Sequence, residues 1–418
     1  MIKKVFGPLF GLRGNARYAI FTEPLWGIPF NLYNPFMMLF MFSLGITDDN
    51  IGIIMGLGMV VQMIASVLSG ILTDKFGRRK TNIIWDHLAW SVPCLIWAFA
   101  QDFRWFVVAA LFNGLWPVGS NAWECLLVED EEPDKIVQLF NWIYIAGSVS
   151  VFFAPLSIVF IPIFGLVPFM RVLLVISAFS MSAKFTIHFI FATETEQGKT
   201  RLAETKDVRI WKMLLEYGGV IREIFTTPVT RRILVMMVLV SFMFTTSGYF
   251  TLYATEDLGL PEAYAGWIPV LRGAIMLIFF LALQRILNKF NLYKVMIVGL
   301  MFYMAAFSIL LSAPVGALVP IGLFVLIDAC AVAMFMPRRD SLLMNCINPD
   351  DRARIRAIIM AITLAITAPF AAWVGHLSDI DRRIPFRMSL VLFALIGVCV
   401  VVEMMKAKVE GIKTDEKK

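Results

Sequence analysis

Long apolar runs separated by short polar breaks constrain this chain most. Hydrophobic residues make up 59% of the sequence and charged residues only 16%, with a mean hydropathy of +0.77. Soluble domains are roughly half apolar and a quarter charged, and a soluble protein could not cover so much apolar surface. The runs are continuous rather than alternating, which favours membrane helices over the strands of a barrel. The sequence predicts an all-α polytopic membrane protein.

Twelve transmembrane helices are predicted, because about a dozen runs reach the roughly 20 residues that a bilayer requires. They lie at about 18–44, 50–73, 81–101, 103–128, 136–161, 167–191, 233–254, 264–284, 294–313, 316–338, 355–376 and 386–404. Lysine and arginine collect in alternate loops, so the positive-inside rule places both termini in the cytoplasm. The expected location is the cell inner (plasma) membrane, crossed many times.

Four segments follow from this pattern. We predict a six-helix bundle over 1–193, a cytoplasmic linker over 194–232, a second six-helix bundle over 233–405 and a cytoplasmic tail over 406–418. Within the linker, apolar residues recur at helical spacing between Val208 and Phe225. This spacing fits a helix lying on the membrane surface, and a solvated linker is the alternative.

The two halves repeat each other. Glu124 and Pro133-Asp134 are matched by Asp340 and Pro349-Asp350 in the second half. Further pairs recur at nearly the same separation: Lys75-Phe76 with Lys289-Phe290, and Ala154-Pro155 with Ala368-Pro369. Two similar six-helix halves are a recurring plan of membrane transporters, with the substrate site between them near the bilayer midplane.

The loop between the second and third spans reads Gly70-Ile-Leu-Thr-Asp74-Lys-Phe-Gly77-Arg78-Arg79-Lys80. This spacing resembles the signature loop of the major facilitator superfamily, and the resemblance covers essentially the whole chain. It implies two pseudo-symmetric six-helix bundles that transport by alternating access. It also implies that Asp74, Arg78 and Arg79 form a gate, with Gly70 and Gly77 allowing close backbone approach. The alternative is a positively charged anchor without a switching role.

Glu124 and its repeat partner Asp340 lie near the cytoplasmic ends of spans four and ten. Cations and anions flank them, so a static salt-bridge network is one interpretation. Ion pairs that break and re-form at such a position are also suitable parts of a gate. Both residues are therefore candidates for gating.

Three charges lie deeper in the predicted spans, where an ionisable group costs at least about 2.5–3.5 kcal/mol. They are Glu23 in span one, Arg272 in span eight and Asp328 in span ten. Glu23 and Asp328 are candidates for proton coupling, because desolvation favours the protonated form of a carboxylate. The alternative is that Asp328 and Arg272 neutralise each other. Asp86 is expected to pair with the helix face that carries Lys184 and His188.

Amides and indoles on spans one and four provide hydrogen bonds and flat apolar surfaces, which suit a small-molecule site. Each of them alone can also serve helix packing. With Arg272 added, the predicted substrate-binding residues are Trp26, Asn31, Asn34, Asn113, Trp116 and Asn121. Many proton-driven members of the resembled family carry an arginine four residues before a glycine of span four, but here Ala110 stands at that position before Gly114.

These patterns favour proton-coupled export of small amphipathic compounds. Proton-coupled uptake of a sugar or organic anion is the alternative, and a transporter-like membrane sensor is a remote one. We expect no catalytic residues, no cofactor, no metal site and no nucleic-acid partner, since no nucleophile–base pair, phosphate-binding glycine loop or set of metal ligands stands out. The expected partners are a small-molecule substrate, protons and the lipid bilayer, with the protein as a monomer.

Overall fold

The computed structural model describes residues 12–250, 253–260, 267–347 and 351–409, and every regular element in them is helical. This confirms the all-α prediction. In the first half the α-helices are Gly14–Tyr33, Met37–Ser43, Asp48–Phe76, Arg78–Asp86, Val92–Phe99, Phe103–Asn113, Trp116–Val128, Ile136–Val151, Pro155–Phe164 and Leu166–Phe191.

Two helices, Glu196–Thr205 and Ile210–Thr226, follow in the predicted linker; we call Glu196–Thr205 the linker helix. The second half contains Pro228–Ser247, Ile268–Leu287, Leu292–Leu311, Leu318–Cys346, Arg352–Ile380 and Ile384–Val409. Eight helices of the described residues are long and apolar enough to cross a bilayer. Several of the remaining predicted spans consist of two or more helices in succession, so their individual pieces are shorter.

Contacts divide the chain into two units. The first comprises Met1–Glu223 together with Ile347–Ala361, and the second comprises Ile224–Cys346 and Ile362–Lys418. The helix Arg352–Ile380 therefore begins in the first unit and continues in the second. The linker helix also belongs to the first unit. The predicted segments 1–193, 194–232, 233–405 and 406–418 follow a different criterion, the apolar pattern, and stay predictions.

Prolines interrupt several spans. Each proline lacks a backbone N–H, and side chains of neighbouring helices donate to carbonyls that would otherwise accept from it. Pro29 offers no N–H to the carbonyl of Leu25, and the Ser180 hydroxyl donates to that carbonyl at 2.7 Å. Pro93 follows a π-helical segment, His87–Ser91, in the third span. The Asn113 amide donates to the Ala89 carbonyl of that segment at 2.9 Å. The irregular backbone is thus paired inside the protein, as hydrocarbon requires.

The sequence repeat falls on equivalent elements. Lys75 and Lys289 lie at the ends of the second and eighth spans, and Pro155 and Pro369 lie in the fifth and eleventh. The structure adds one more pair, Gly45 and Gly259, which follow the first and seventh spans. Both have a positive φ, 80° at Gly45 and 69° at Gly259. A positive φ favours glycine in an L-polypeptide. The two halves therefore share a backbone bend that the sequence comparison had not identified.

The helix Ile210–Thr226 carries apolar residues on two faces: Met213 and Ile224 are buried, whereas Trp211 and Leu215 are exposed. The helical spacing predicted for this part of the linker is confirmed. Its position on the membrane surface stays a prediction.

Gly77 makes the bend between the helices Asp48–Phe76 and Arg78–Asp86. Its φ is 82°, and a Cβ there would lie 2.7 Å from Glu194 Oε2 and 3.0 Å from Leu202 Cδ1. The site therefore needs glycine for two reasons, backbone conformation and space. Gly45 has a similar φ of 80° but nothing within 4 Å of an added Cβ.

We predict that Gly77→Ala destabilises the protein more than Gly45→Ala does. Both substitutions meet the cost of a positive φ, about 1–2 kcal/mol, but only the first also displaces Glu194 and Leu202. The midpoint of thermal unfolding in detergent measures the difference. Equal midpoints for the two variants would show that the space around Gly77 is not a constraint.

Candidate functional site

Asp74 is the centre of a charged cluster at the signature loop. Its carboxylate is 1% exposed and contacts three guanidinium groups. Arg78 binds Oδ1 at 3.0 Å, while Arg201 and Arg354 bind Oδ2 at 3.2 and 2.9 Å. The three arginines come from the loop, the linker helix and the helix Arg352–Ile380. We call these four residues with Glu129 the loop cluster.

Arg78 links the loop to a second carboxylate. Its guanidinium is fully buried and binds Glu129 at 3.1 Å as well as Asp74. Such charge-assisted bonds compensate for the cost of removing a guanidinium from water. Thr195, the N-cap of the linker helix, donates to the same Glu129 carboxylate at 2.5 Å. Glu129 therefore joins the signature loop to the start of the linker helix.

Glu194 caps the helix that begins at Arg78. Its two carboxylate oxygens accept the backbone N–H groups of Arg78 and Arg79 at 2.8 and 3.1 Å. These N–H groups have no partner within their own helix, and a carboxylate is favoured at a helix N-terminus. Burial raises the pKa of the Glu194 carboxyl, and these two bonds partly offset that rise. A residue distant in sequence thus performs a local capping role.

Lys75 holds the other end of the linker helix. Its Nζ donates to the carbonyls of Thr205, Lys206 and Val208 at 2.6, 2.8 and 2.7 Å. All three protons of the ammonium are used on carbonyls at a helix C-terminus, where positive charge is favourable. Thr205 also donates to the Asp74 carbonyl at 3.1 Å. The linker helix is therefore fastened to the signature loop at both ends.

The start of the helix Arg352–Ile380 makes a second set of contacts in the first unit. Arg356 pairs with Glu124 and donates to Asn121 Oδ1 at 3.0 Å. The Asn121 amide donates to the Ala353 carbonyl at 3.2 Å. Glu124 and Asn121, predicted for gating and substrate binding, thus belong to one network with Arg356.

A second cluster lies deeper in the first unit. Lys184 binds Glu23 at 2.7 Å, and both side chains are largely buried. The ammonium lies 5.5 Å from the ring centroids of both Trp26 and Trp123, within the range of cation–π attraction. The sequence predicts an ion pair between Asp86 and the helix face of Lys184 and His188. The structure instead pairs Lys184 with Glu23.

Asp86 instead contacts Asn82, whose amide donates to Asp86 Oδ2 at 2.5 Å. The other end of the same amide, Asn82 Oδ1, lies 2.9 Å from His188 Nδ1. Because an amide oxygen only accepts, His188 Nδ1 carries the proton of this bond. Asn82 thus connects a buried carboxyl to a buried imidazole.

The second unit has its own deep ion pair, between Arg272 and Asp328. Asp328 is buried, whereas the Arg272 side chain is 43% exposed. The alternative that these two charges neutralise each other fits this geometry. Asp340 pairs with its neighbour Arg339 at 2.5 Å. Arg338 extends to Asn288, the repeat counterpart of Asp74, at 3.4 Å.

The other predicted substrate-binding residues make separate contacts, and their role in substrate binding stays a prediction. Asn31 donates to the Gly27 carbonyl of its own helix at 2.7 Å, and Asn113 bonds to Ala89 as described above. Trp26 stacks on Phe30 at 4.8 Å, besides its contact with Lys184. Asn34 is exposed, and Trp116 is partly buried. Of the remaining gating candidates, Gly70 is buried, and Arg79 donates to the Phe189 carbonyl at 2.7 Å.

Sequence reasoning missed five charged partners in these networks: Lys184 as the partner of Glu23, and Glu129, Arg201, Arg354 and Arg356. In the sequence these arginines look like the other cations of the predicted cytoplasmic segments. The available signal was that each lies within one or two turns of a predicted helix end, near another charged segment. No group of three or more His, Cys, Asp or Glu residues in the described ranges is placed to hold a metal ion.

Comparison with known proteins agrees with this architecture. The sequence model of the Major Facilitator Superfamily matches residues 25–362. The multi-drug resistance efflux pump PmrA of Streptococcus pneumoniae is 33% identical over 107 residues, which cover 25% of this chain and 27% of the pump.

Solved structures resemble the whole fold at low sequence identity. The human organic anion transporter MFSD10 has a TM-score of 0.68 and 17% identity, covering 95% of this chain and 97% of its own. A bacterial homologue of the iron transporter ferroportin has a TM-score of 0.71 and 14% identity, with 93% and 99% covered. The proton:xylose symporter XylE has a TM-score of 0.68 and 15% identity, with 94% of each chain covered. The predicted fold class, an all-α membrane protein of the major facilitator type, is confirmed, and the predicted count of twelve transmembrane helices is consistent with it.

We predict that Lys75→Ala loosens the linker helix. The substitution removes three charge-assisted hydrogen bonds from its C-terminus, and each such bond is worth about 1.5–3 kcal/mol. Amide hydrogen exchange over 196–205 should accelerate at least about tenfold, since about 1.4 kcal/mol corresponds to a factor of ten.

Lys80→Ala is the matched control, because Lys80 is an exposed cation of the same loop. Its exchange over 196–205 should equal that of the unmodified protein. Equal acceleration in both variants would assign the effect to general loop charge rather than to the Lys75 contacts.

Proposed function

The chain belongs to the Major Facilitator Superfamily, and on this premise we propose that it exports small amphipathic compounds in exchange for protons. We place it in the plasma membrane as a monomer, with both termini in the cytoplasm, because the cations collect in alternate loops. The similarity to the efflux pump PmrA supports export. That similarity covers only 27% of the pump. Export is therefore proposed for this chain by analogy with the pump.

One observation supports proton coupling most directly: carboxylates lie buried inside the helical units. Glu23 and Asp328 are buried and each contacts one cation. A buried carboxylate exchanges its proton with water when its surroundings change, and alternating access changes those surroundings. A neutral apolar bundle would offer no group for this exchange.

The test uses purified protein in liposomes with ethidium as an amphipathic probe. An imposed pH gradient should drive ethidium uphill, and added ethidium should move protons in the opposite direction. Protein-free liposomes provide the background. Ethidium transport at the same rate with and without the pH gradient would contradict proton coupling. Ethidium movement equal to that of protein-free liposomes would contradict export of amphipathic compounds.

Proton-coupled uptake of a sugar or organic anion is the second candidate. The half-exposed guanidinium of Arg272 favours it, because guanidinium groups bind carboxylates in two-point contacts. MFSD10 and XylE, which share the fold, are described as an organic anion transporter and a proton:xylose symporter.

The double variant Arg272→Gln/Asp328→Asn tests this alternative without leaving either charge buried alone. If Arg272 binds an anionic substrate, binding of benzoate to the purified protein should be lost while binding of xylose persists. Unchanged benzoate binding would exclude Arg272 from an anion site.

We also propose that the loop cluster is a gate. Arg354 and Arg356 lie at the beginning of a helix whose later residues belong to the second unit. Movement of that helix would break their pairs with Asp74 and Glu124, and return would re-form them. Ion pairs of this kind are suitable two-state elements. In this gate Gly77 provides the bend between two helices, and Arg79 supports the loop through its bond to the Phe189 carbonyl. Asp340 is included because it is the repeat partner of Glu124.

We predict that Asp74→Asn reduces the transport rate about tenfold or more, because three arginines lose a shared counter-charge and breaking a buried pair costs about 3–5 kcal/mol. Arg354→Gln should reduce the rate in the same direction. Lys80→Gln is the control: a simple positive anchor predicts equal effects for Arg354 and Lys80, whereas a gate predicts an effect only for Arg354. Initial rates in liposomes with equal protein content decide between them.

A further inference from the structure

The deep cluster of the first unit contains more negative than positive charge. It holds two carboxyl groups, Glu23 and Asp86, and one ammonium, that of Lys184. Lys184 forms its ion pair with Glu23 at 2.7 Å. Asp86 interacts electrostatically with both of these residues, but it has no cation within ion-pair distance in the part of the chain that the structure describes. Its hydrogen-bond donor is the neutral Asn82 amide.

An uncompensated charge at this position is expensive. Asp86 is 6% exposed and lies eight residues into the helix that begins at Arg78, so about 12 Å from its start at 1.5 Å per residue. A charged side chain within a membrane is destabilising, and the cost is largest when the charge has no counter-charge. Protonation of Asp86 removes this cost and leaves the Glu23–Lys184 pair intact.

None of the titratable groups on the described helices around Asp86 is placed to neutralise its carboxylate. The helix Leu166–Phe191 contributes Lys184, already paired, and His188, whose Nδ1 bonds to Asn82. The adjacent His87 points its Nδ1 to the Ile83 carbonyl at 2.8 Å.

The remaining acids on the packed helices have their own cations. Glu124 on Trp116–Val128 pairs with Arg356, and Asp74 on Asp48–Phe76 binds three arginines. Arg78 and Arg79, on the same helix as Asp86, bond to other partners near its start. Asp86 is therefore the carboxyl group of this cluster that lacks a cation.

The fourth span encloses the same carboxyl group. Gly119 lies so close that an added Cβ would overlap Asp86 Oδ1. The site therefore has no room for a larger residue at 119, and the carboxyl packs directly on backbone. His188 Nε2, also buried, has no hydrogen-bond partner among the described residues. This nitrogen is a second proton acceptor, and its imidazole is connected to Asp86 through Asn82.

We propose that Asp86, in place of Glu23, carries the coupled proton in the first unit, whereas the sequence predicts a structural ion pair for Asp86. This inference rests on the proposed proton coupling. The carboxyl binds a proton from the aqueous phase on one side and releases it to the other phase when its surroundings open. Glu23 keeps Lys184 neutralised throughout, and Asn82, held by His188, orients the carboxyl group.

The first test is independent of any substrate. If Asp86 is protonated at neutral pH, Asp86→Asn replaces a neutral group by a similar neutral group, and the thermal midpoint in detergent should change little or rise. Glu23→Gln is the matched comparison, because it strands Lys184 and should lower the midpoint. In infrared difference spectra between alkaline and acidic pH, a band of a buried carboxylic acid should disappear in Asp86→Asn and persist in Glu23→Gln. Loss of the band only in Glu23→Gln would overturn the assignment.

The second test measures transport of ethidium in liposomes. Asp86→Asn should abolish uphill transport driven by a pH gradient, while exchange of labelled for unlabelled ethidium continues, because exchange needs no net proton movement. If the unmodified protein shows no proton coupling, the proposed function fails. If it shows coupling and Asp86→Asn retains it in full, only the role of Asp86 fails.

Discussion

Low-dielectric surroundings favour pairing of buried charges with counter-charges, and this pairing organises much of the structure. Hydrocarbon offers no water to solvate an ion, so pairing in the protein replaces hydration. Lys184 is paired with Glu23, Arg272 with Asp328, and Asp74 with three arginines. Each of these pairs joins two different helices. Wherever pairing is incomplete, as at Asp86, protonation is the remaining way to remove the charge.

The same requirement acts on the backbone. Prolines at 29 and 93 remove N–H donors in the middle of spans, and a serine and an asparagine from neighbouring helices donate to the carbonyls concerned. Asn113 shows how this affects functional interpretation. An amide at bilayer depth resembles part of a substrate site in the sequence, yet its bond to Ala89 already serves the irregular third span.

The sequence predicted the span pattern well, because apolar runs of sufficient length have few alternatives in a chain this hydrophobic. The signature loop identified Asp74 and Arg78 as charged neighbours. It could not identify Arg201 and Arg354, since their contacts depend on how the linker helix and a distant span pack in space. Lys184 illustrates the same limit: helical spacing placed it on a face with His188, but only the packing of the first span against the sixth brought it to Glu23.

The duplicated halves have kept their backbone and changed their charges. The glycine bends at 45 and 259 occupy matching positions, as do the prolines at 155 and 369. By the same separation Glu23, Asp86 and Lys184 correspond to Met237, Leu300 and Val398, all apolar. Asp74 corresponds to Asn288, which cannot bind arginines as an ion. Bends and prolines define a fold that both halves need, whereas a buried charge is costly and persists only where it has a partner or a use. The two halves therefore share backbone bends and prolines but differ in where their buried charges lie.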